Sequence, residues 1–141
     1  MDHRIWAPTA SGQSAAETAW TGWAALAARV CLGVVFAWFG WHELRQPGLW
    51  TGYVPVLSST STLALVAVIA HGVLLLVLAA ALVVGILPRA AGLIAAALMA
   101  EIVVSLTVHG LSDIVARDLG VLGLALAVTA APPASRWVLT R

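Results

Sequence analysis

Two sets of ionisable residues interrupt a chain that is otherwise apolar. The first is Arg29 and Glu101; the second is His42, Glu43, His71, His109, Arg117 and Asp118. Arg29 lies about nine residues into an apolar stretch that begins at Trp20, roughly 13 Å along a helix. Glu101 lies about twelve residues beyond Arg89, roughly 18 Å along another. A charge at the centre of a bilayer costs about 2.5–3.5 kcal/mol on insertion scales. Two opposite charges at similar depth relieve that cost, so the expectation is an Arg29–Glu101 ion pair. It is either a structural clamp or part of a ligand or proton site. Gly33, Phe36 and Gly40 follow Arg29 on one helix face, where small residues admit a close neighbour.

The second set forms a layer nearer the opposite end. His71 is the one polar interruption of a run without formal charge. Glu101, Ser105 and His109 recur at i+4 and form a stripe. Asp113 and Arg117 share the same spacing, and Asp118 points elsewhere. The expectation is that His71, His109 and Arg117 face the interior, with Glu43 or Asp118 accepting from them. Such a layer is a hydrogen-bonded register device, a site for a polar headgroup or substrate, or a metal site. Histidine and carboxylate suit a metal, but no HExxH spacing occurs, and no metal is assigned. Phosphate loops, nucleophile elbows and dinucleotide fingerprints do not occur either. The single cysteine, Cys31, allows no internal disulfide and reads as a small packing residue.

The elements that position these residues follow from composition. Of 141 residues, 62% are hydrophobic and 9% charged, against about 25% charged in a soluble domain. This excludes a water-soluble globular protein and a disordered chain. Net charge is +1 without a basic stripe, which excludes nucleic acid as a partner. The reading is all-α: an integral membrane four-helix bundle with spans at about 20–41, 63–87, 89–109 and 114–131. Residues 1–19 read as a mobile tail, not a signal peptide. The membrane domain is 20–133, and 134–141 is a C-terminal tail. Ser61 or Thr62 caps the second helix, and Gly85 and Pro88 end it. Pro88 suits the first turn of the third.

Four spans put both termini on one side. Arg4, Arg89, Arg136 and Arg141 fall there, and Arg45 and Arg117 fall on the other. The positive-inside rule then predicts a multi-pass cell-membrane protein with both termini cytoplasmic. Trp20, Trp23 and Trp137 mark the inner interface, and Trp38, Trp41, Trp50 and Tyr53 the outer one.

Together these segments resemble the DoxX-like family of small membrane proteins. The resemblance rests on Arg29-Val-Cys-Leu-Gly33, Phe36, Gly40-Trp-His-Glu-Leu44 and Trp50-Thr-Gly-Tyr-Val-Pro55. It continues through Leu82-Val-Val-Gly85 with Pro88-Arg89, Met99-Ala-Glu101, Arg117-Asp-Leu-Gly120 and Leu122-Gly-Leu-Ala-Leu, covering about 22–131. Each motif is loose; their order and spacing carry the likeness. Where the family often has a glutamate before a glycine in span two, this chain has His71-Gly72. The resemblance implies a four-helix membrane bundle and a link to respiratory redox chemistry.

Two functions follow as expectations. One is an accessory, quinone- or lipid-binding subunit linked to membrane redox chemistry. His71, His109, Arg29 or Arg117 would donate to a quinone carbonyl. No haem, flavin or iron–sulfur motif is recognised and no cofactor is covalently bound, so electron transfer would need a membrane oxidoreductase partner. The other is a non-catalytic scaffold, or a lipid-binding, small-molecule-binding or transport-like protein. Membrane lipids are partners in both. Catalysis and oligomeric state are not legible in the residues.

Overall fold

The structure is a computed structural model that describes the backbone of residues 10–107 and 112–131, with side chains from Trp20 onward in those segments. Among the described residues it is all-helical. Helix α1 spans Ala10–Arg45, α2 Thr62–Val84, α3 Pro88–Thr107 and α4 Asp113–Ala130. Two short 3-10 turns, Pro47–Leu49 and Thr51–Tyr53, follow α1.

Local chemistry explains the boundaries. Ser61 Oγ accepts from the Ala64 N–H at 3.1 Å and caps α2. At the other end Gly85 adopts φ 82°, a left-handed conformation that glycine enters without steric cost. The Gly85 and Ile86 N–H groups both return to the Ala81 carbonyl at 2.9 Å. Pro88 then opens α3, where its missing N–H leaves no helical bond unmade. Ser112 Oγ accepts from the Val115 N–H and caps α4.

Three segments are long and apolar enough to cross a membrane: Trp20–Arg45 of α1, then α2 and α3. Helix α4 holds Asp113, Arg117 and Asp118 among its 18 residues and is less apolar. Outward faces carry Val34, Trp38, Val66, Val77, Leu93 and Val104 exposed. The surface is therefore apolar where a soluble bundle would be charged, which suits a lipid surround.

Helix α1 packs along α2 and α3 along α4, while α4 also meets α1. Helices α2 and α3 touch little despite their short turn. The core is Leu32 and Phe36 of α1, Leu75, Leu78, Ala79 and Leu82 of α2, Ala91, Ala95, Ala96 and Met99 of α3, and Ala125 and Val128 of α4. We call the end with the α2–α3 turn the inner end and the other the outer end.

The sequence reading needs three corrections. Helix α1 begins at Ala10, so residues 10–19, read as part of a tail, are helical and continuous with the first span. Helix α2 ends at Val84, three residues before the expected boundary, because Gly85 already takes the capping conformation. Cys31 is exposed rather than packed inside. It precedes buried Leu32 by one residue, about 100° around the helix. His109, Trp137, Arg4, Arg136 and Arg141 lie outside the described residues.

Candidate functional site

The geometry of the site starts from a close crossing of α1 and α2. A Cβ placed on Gly40 would lie 2.7 Å from the Gly72 carbonyl oxygen, and one on Gly72 would lie 3.1 Å from the Gly40 carbonyl oxygen. Neither position has room for a side chain, so the two backbones meet there. Gly72 is preceded by His71, and Glu43 lies three residues beyond Gly40. The crossing therefore brings Glu43 against α2 at His71.

Glu43 is buried, with 5% of its surface exposed. Its Oε2 accepts from His71 Nδ1 at 2.8 Å. An ionised carboxylate only accepts, so with Glu43 ionised the contact is an Nδ1–H donation. The other ring nitrogen, Nε2, is buried and has no hydrogen-bond partner. On α4, Arg117 Nε–H donates to Asp118 Oδ1 at 2.8 Å. Asp118 is buried while the Arg117 side chain is half exposed, its guanidinium 5.1 Å from the centre of the Phe39 ring. That placement is within cation–π range.

These groups line a cavity of about 560 Å³ in the outer half of the bundle. Helix α1 contributes Phe36, Phe39 and Glu43, and α2 contributes Val68, His71 and Leu75. Helix α3 contributes Met99, Glu101, Ile102 and Ser105, and α4 contributes Arg117, Asp118 and Val121. The segment after α1 closes the outer end with Trp50, Tyr53 and Val56. Trp50 meets Phe39 edge-on at 5.9 Å and Tyr53 at 6.0 Å. Val56 has φ 66° and is fully exposed. A β-branched residue in that conformation stores about 1–3 kcal/mol of strain. Helices α2 and α3 make little contact with each other despite their short turn, which leaves room for this space. An apolar cavity of this size with a few convergent polar groups has the form of a small-molecule site.

The structure thus gathers His71, Glu43, Arg117 and Asp118 of the expected layer, and adds Glu101 to the same wall. His42 is elsewhere. Its Nδ1 pairs with the Trp38 carbonyl at 2.8 Å and its ring lies 4.4 Å from that of Trp38. It is not among the residues that line the cavity. His109 lies outside the described residues.

The expected Arg29–Glu101 pair does not form. The Arg29 guanidinium lies over Gly85, with Nη1 3.1 Å from where a Cβ would be. It therefore stands at the α2–α3 turn, where the end of α2 presents its negative dipole. Arg29 Nε is buried without a hydrogen-bond partner. Helices α1 and α3 share no extended contact, and Arg29 is about 21 Å along α1 from Glu43 at the cavity. Depth counted along separate helices did not reveal which helices are neighbours.

Phe39 was missed as a site residue, although its i−4 relation to Glu43 places both on one face. Trp50 and Tyr53, read as interface markers, also close the cavity. Among the described residues no three His, Cys, Asp or Glu side chains converge as metal ligands. No known family profile, curated protein or solved structure matches the chain.

Proposed function

We propose that this chain is a DoxX-like four-helix membrane protein that binds a quinone or a similar lipid-soluble ring in the outer-half cavity. It would serve as an accessory subunit to a membrane oxidoreductase. The single observation that carries the reading is His71, its ring oriented by Glu43, on the wall of an aromatic-lined cavity. Phe39, Trp50 and Tyr53 offer flat apolar surface, and Arg117 and His71 offer hydrogen bonds to ring oxygens. Membrane lipids are the natural source of such a ligand. Electron transfer falls to the partner.

In this reading α4 crosses the membrane with the other helices, its charges at the outer end beside the cavity. Arg29 at the α2–α3 turn and Arg89 at the start of α3 mark one membrane surface. Helix α1 continues to Arg45 and α3 to Thr107, roughly 24 and 27 Å beyond them, close to one hydrocarbon thickness. Arg29 then joins the arginines of the terminal side, and the positive-inside rule makes that side cytoplasmic. In a Cys31→Ala background, Ser59→Cys should label from outside intact cells and Ala90→Cys should not. Labelling of both from the same side overturns the topology.

The ligand reading is tested by mass spectrometry of lipids and proteins retained after gentle detergent extraction. A quinone, or a co-purifying oxidoreductase, is the expected result. His71→Leu should lose the ring ligand while the bundle still folds. Unchanged retention in a more stable bundle would leave His71 a tolerated polar residue, and the site reading fails.

A further inference from the structure

Three carboxylates line the cavity, and they are not equally provided for. Glu43 Oε2 accepts from His71 Nδ1 at 2.8 Å, and Asp118 Oδ1 accepts from Arg117 Nε–H at 2.8 Å. Both of these acids are buried. The Glu101 carboxylate has neither an ion pair nor a hydrogen bond among the described residues. Glu101 is exposed and lines the same cavity, so a ligand can reach it. It also lies well inside a span. Six residues of α3 follow it, which puts it about 9 Å from the outer end of that helix.

The charges on the wall do not balance. Glu43, Glu101 and Asp118 are set against one guanidinium, Arg117, and one imidazole, His71. With the acids ionised the sum is negative whether or not the imidazole is charged. A charge in apolar surroundings needs a counter-charge. The described part of the chain gives Glu101 none, so that role falls to a ligand.

The rest of the lining suits a cation of a particular kind. Phe39, Trp50 and Tyr53 border the cavity, and the Phe39 ring already holds the Arg117 guanidinium 5.1 Å from its centre. Aromatic faces attract ammonium groups that carry methyls in place of N–H, because the attraction is to charge rather than to a hydrogen. Leu75, Met99 and Ile102 offer the remaining surface to hydrocarbon.

We propose that the outer-half cavity binds an organic ammonium ion with an apolar body, Glu101 being its counter-charge and the aromatic lining its second attraction. The quinone reading uses His71 and Arg117 and leaves Glu101 without a role, so neither depends on the other. The ammonium belongs either to a free amphiphile or to the headgroup of a lipid.

The experiment uses the purified full chain in dodecyl maltoside, a detergent with no charge and no ammonium. Equilibrium binding of benzyltrimethylammonium is compared with that of neopentylbenzene, a neutral hydrocarbon of the same shape, and protein-free micelles correct for partitioning. The ammonium should bind at least about tenfold more tightly than the hydrocarbon, a modest demand on a carboxylate and ring faces together. Glu101→Gln should abolish that preference, and Glu101→Asp should keep part of it. Glu101→Ala replaces the amide variant if that one does not fold. Equal affinity for the two probes in the parent chain overturns the site, as does a preference that survives loss of the carboxylate. Displacement of the probe by added phosphatidylcholine but not by phosphatidylglycerol assigns the ammonium to a lipid headgroup, and displacement by neither assigns it to a free amphiphile. A short-chain benzoquinone is measured alongside. Quinone binding without an ammonium preference overturns the ammonium site alone, and an ammonium preference without quinone binding overturns the quinone reading alone.

Discussion

The inner and outer halves of the bundle are built on opposite principles. In the inner half Leu32, Leu78, Leu82, Ala91, Ala95, Ala125 and Val128 are buried against one another. In the outer half Glu43, His71, Glu101, Arg117 and Asp118 surround open space. Small residues on α3 let the helices close at the inner end, and the short α2–α3 turn holds them there. Helices α2 and α3 make little contact with each other, and the cavity lies among the outer-half residues. A polar cavity can persist between helices when the closure that stabilises the fold lies elsewhere along them. The price is a set of ionisable groups that must satisfy one another in pairs, as His71 does with Glu43 and Arg117 with Asp118.

The sharpest way to break this division is to fill the inner contacts or to hollow them. Leu82 is fully buried in the inner half. Leu82→Ala should cost about 2–5 kcal/mol, the range for a buried leucine truncated in a packed site. Val68→Ala, which borders existing space, should cost less than half as much. Thermal or denaturant unfolding in detergent micelles measures both. Equal costs would mean that the outer half is packed as tightly as the inner one.

Next in size is the crossing that links the halves. Gly40→Val places branched carbon where even a Cβ lies 2.7 Å from the Gly72 carbonyl oxygen. Overpacking of this kind costs about 1–3 kcal/mol. It should also separate Glu43 from His71, so ring-ligand binding falls more than stability does. A variant of normal stability and normal binding would show that the close approach is not what sets the pair.

A comparable effect is expected within the pair itself. Glu43→Leu leaves His71 Nδ1 without its acceptor and should cost about 1–3 kcal/mol, the penalty for an unsatisfied buried group. Combining it with His71→Leu should restore most of that loss, since neither polar group then remains. A double-mutant cycle reads the coupling directly, and strict additivity would deny the contact.

The smallest expected effect separates the two ends. Arg29 stands at the α2–α3 turn, and Glu101 lines the cavity. Arg29→Gln should cost about 0.3–2 kcal/mol, the worth of a cation near a partly buried helix end. Its effect and that of Glu101→Gln should add to within about 0.5 kcal/mol. A larger coupling would reinstate the pair that depth alone suggested.

Much of the fold was legible in order along the chain. Apolar runs located the helices, and Ser61, Gly85 and Pro88 located ends of α2 and α3, because capping depends on neighbours within four residues. Helical spacing also showed that Gly33, Phe36 and Gly40 share a face. The site was legible as a list of costly polar residues, since a charge or imidazole in an apolar run needs a partner wherever the run is placed. The partners themselves were not. Arg29 and Glu101 matched in counted depth, yet they sit on helices without extended contact. His42 and Glu43 are adjacent in sequence, yet one returns to its own backbone and the other reaches α2. Counting along a helix gives height and angle on that helix only. Pairing depends on which helices are neighbours and on how each is rotated about its axis. Here the Gly40–Gly72 approach and the scant contact between α2 and α3 decided both, and these belong to the packed bundle alone.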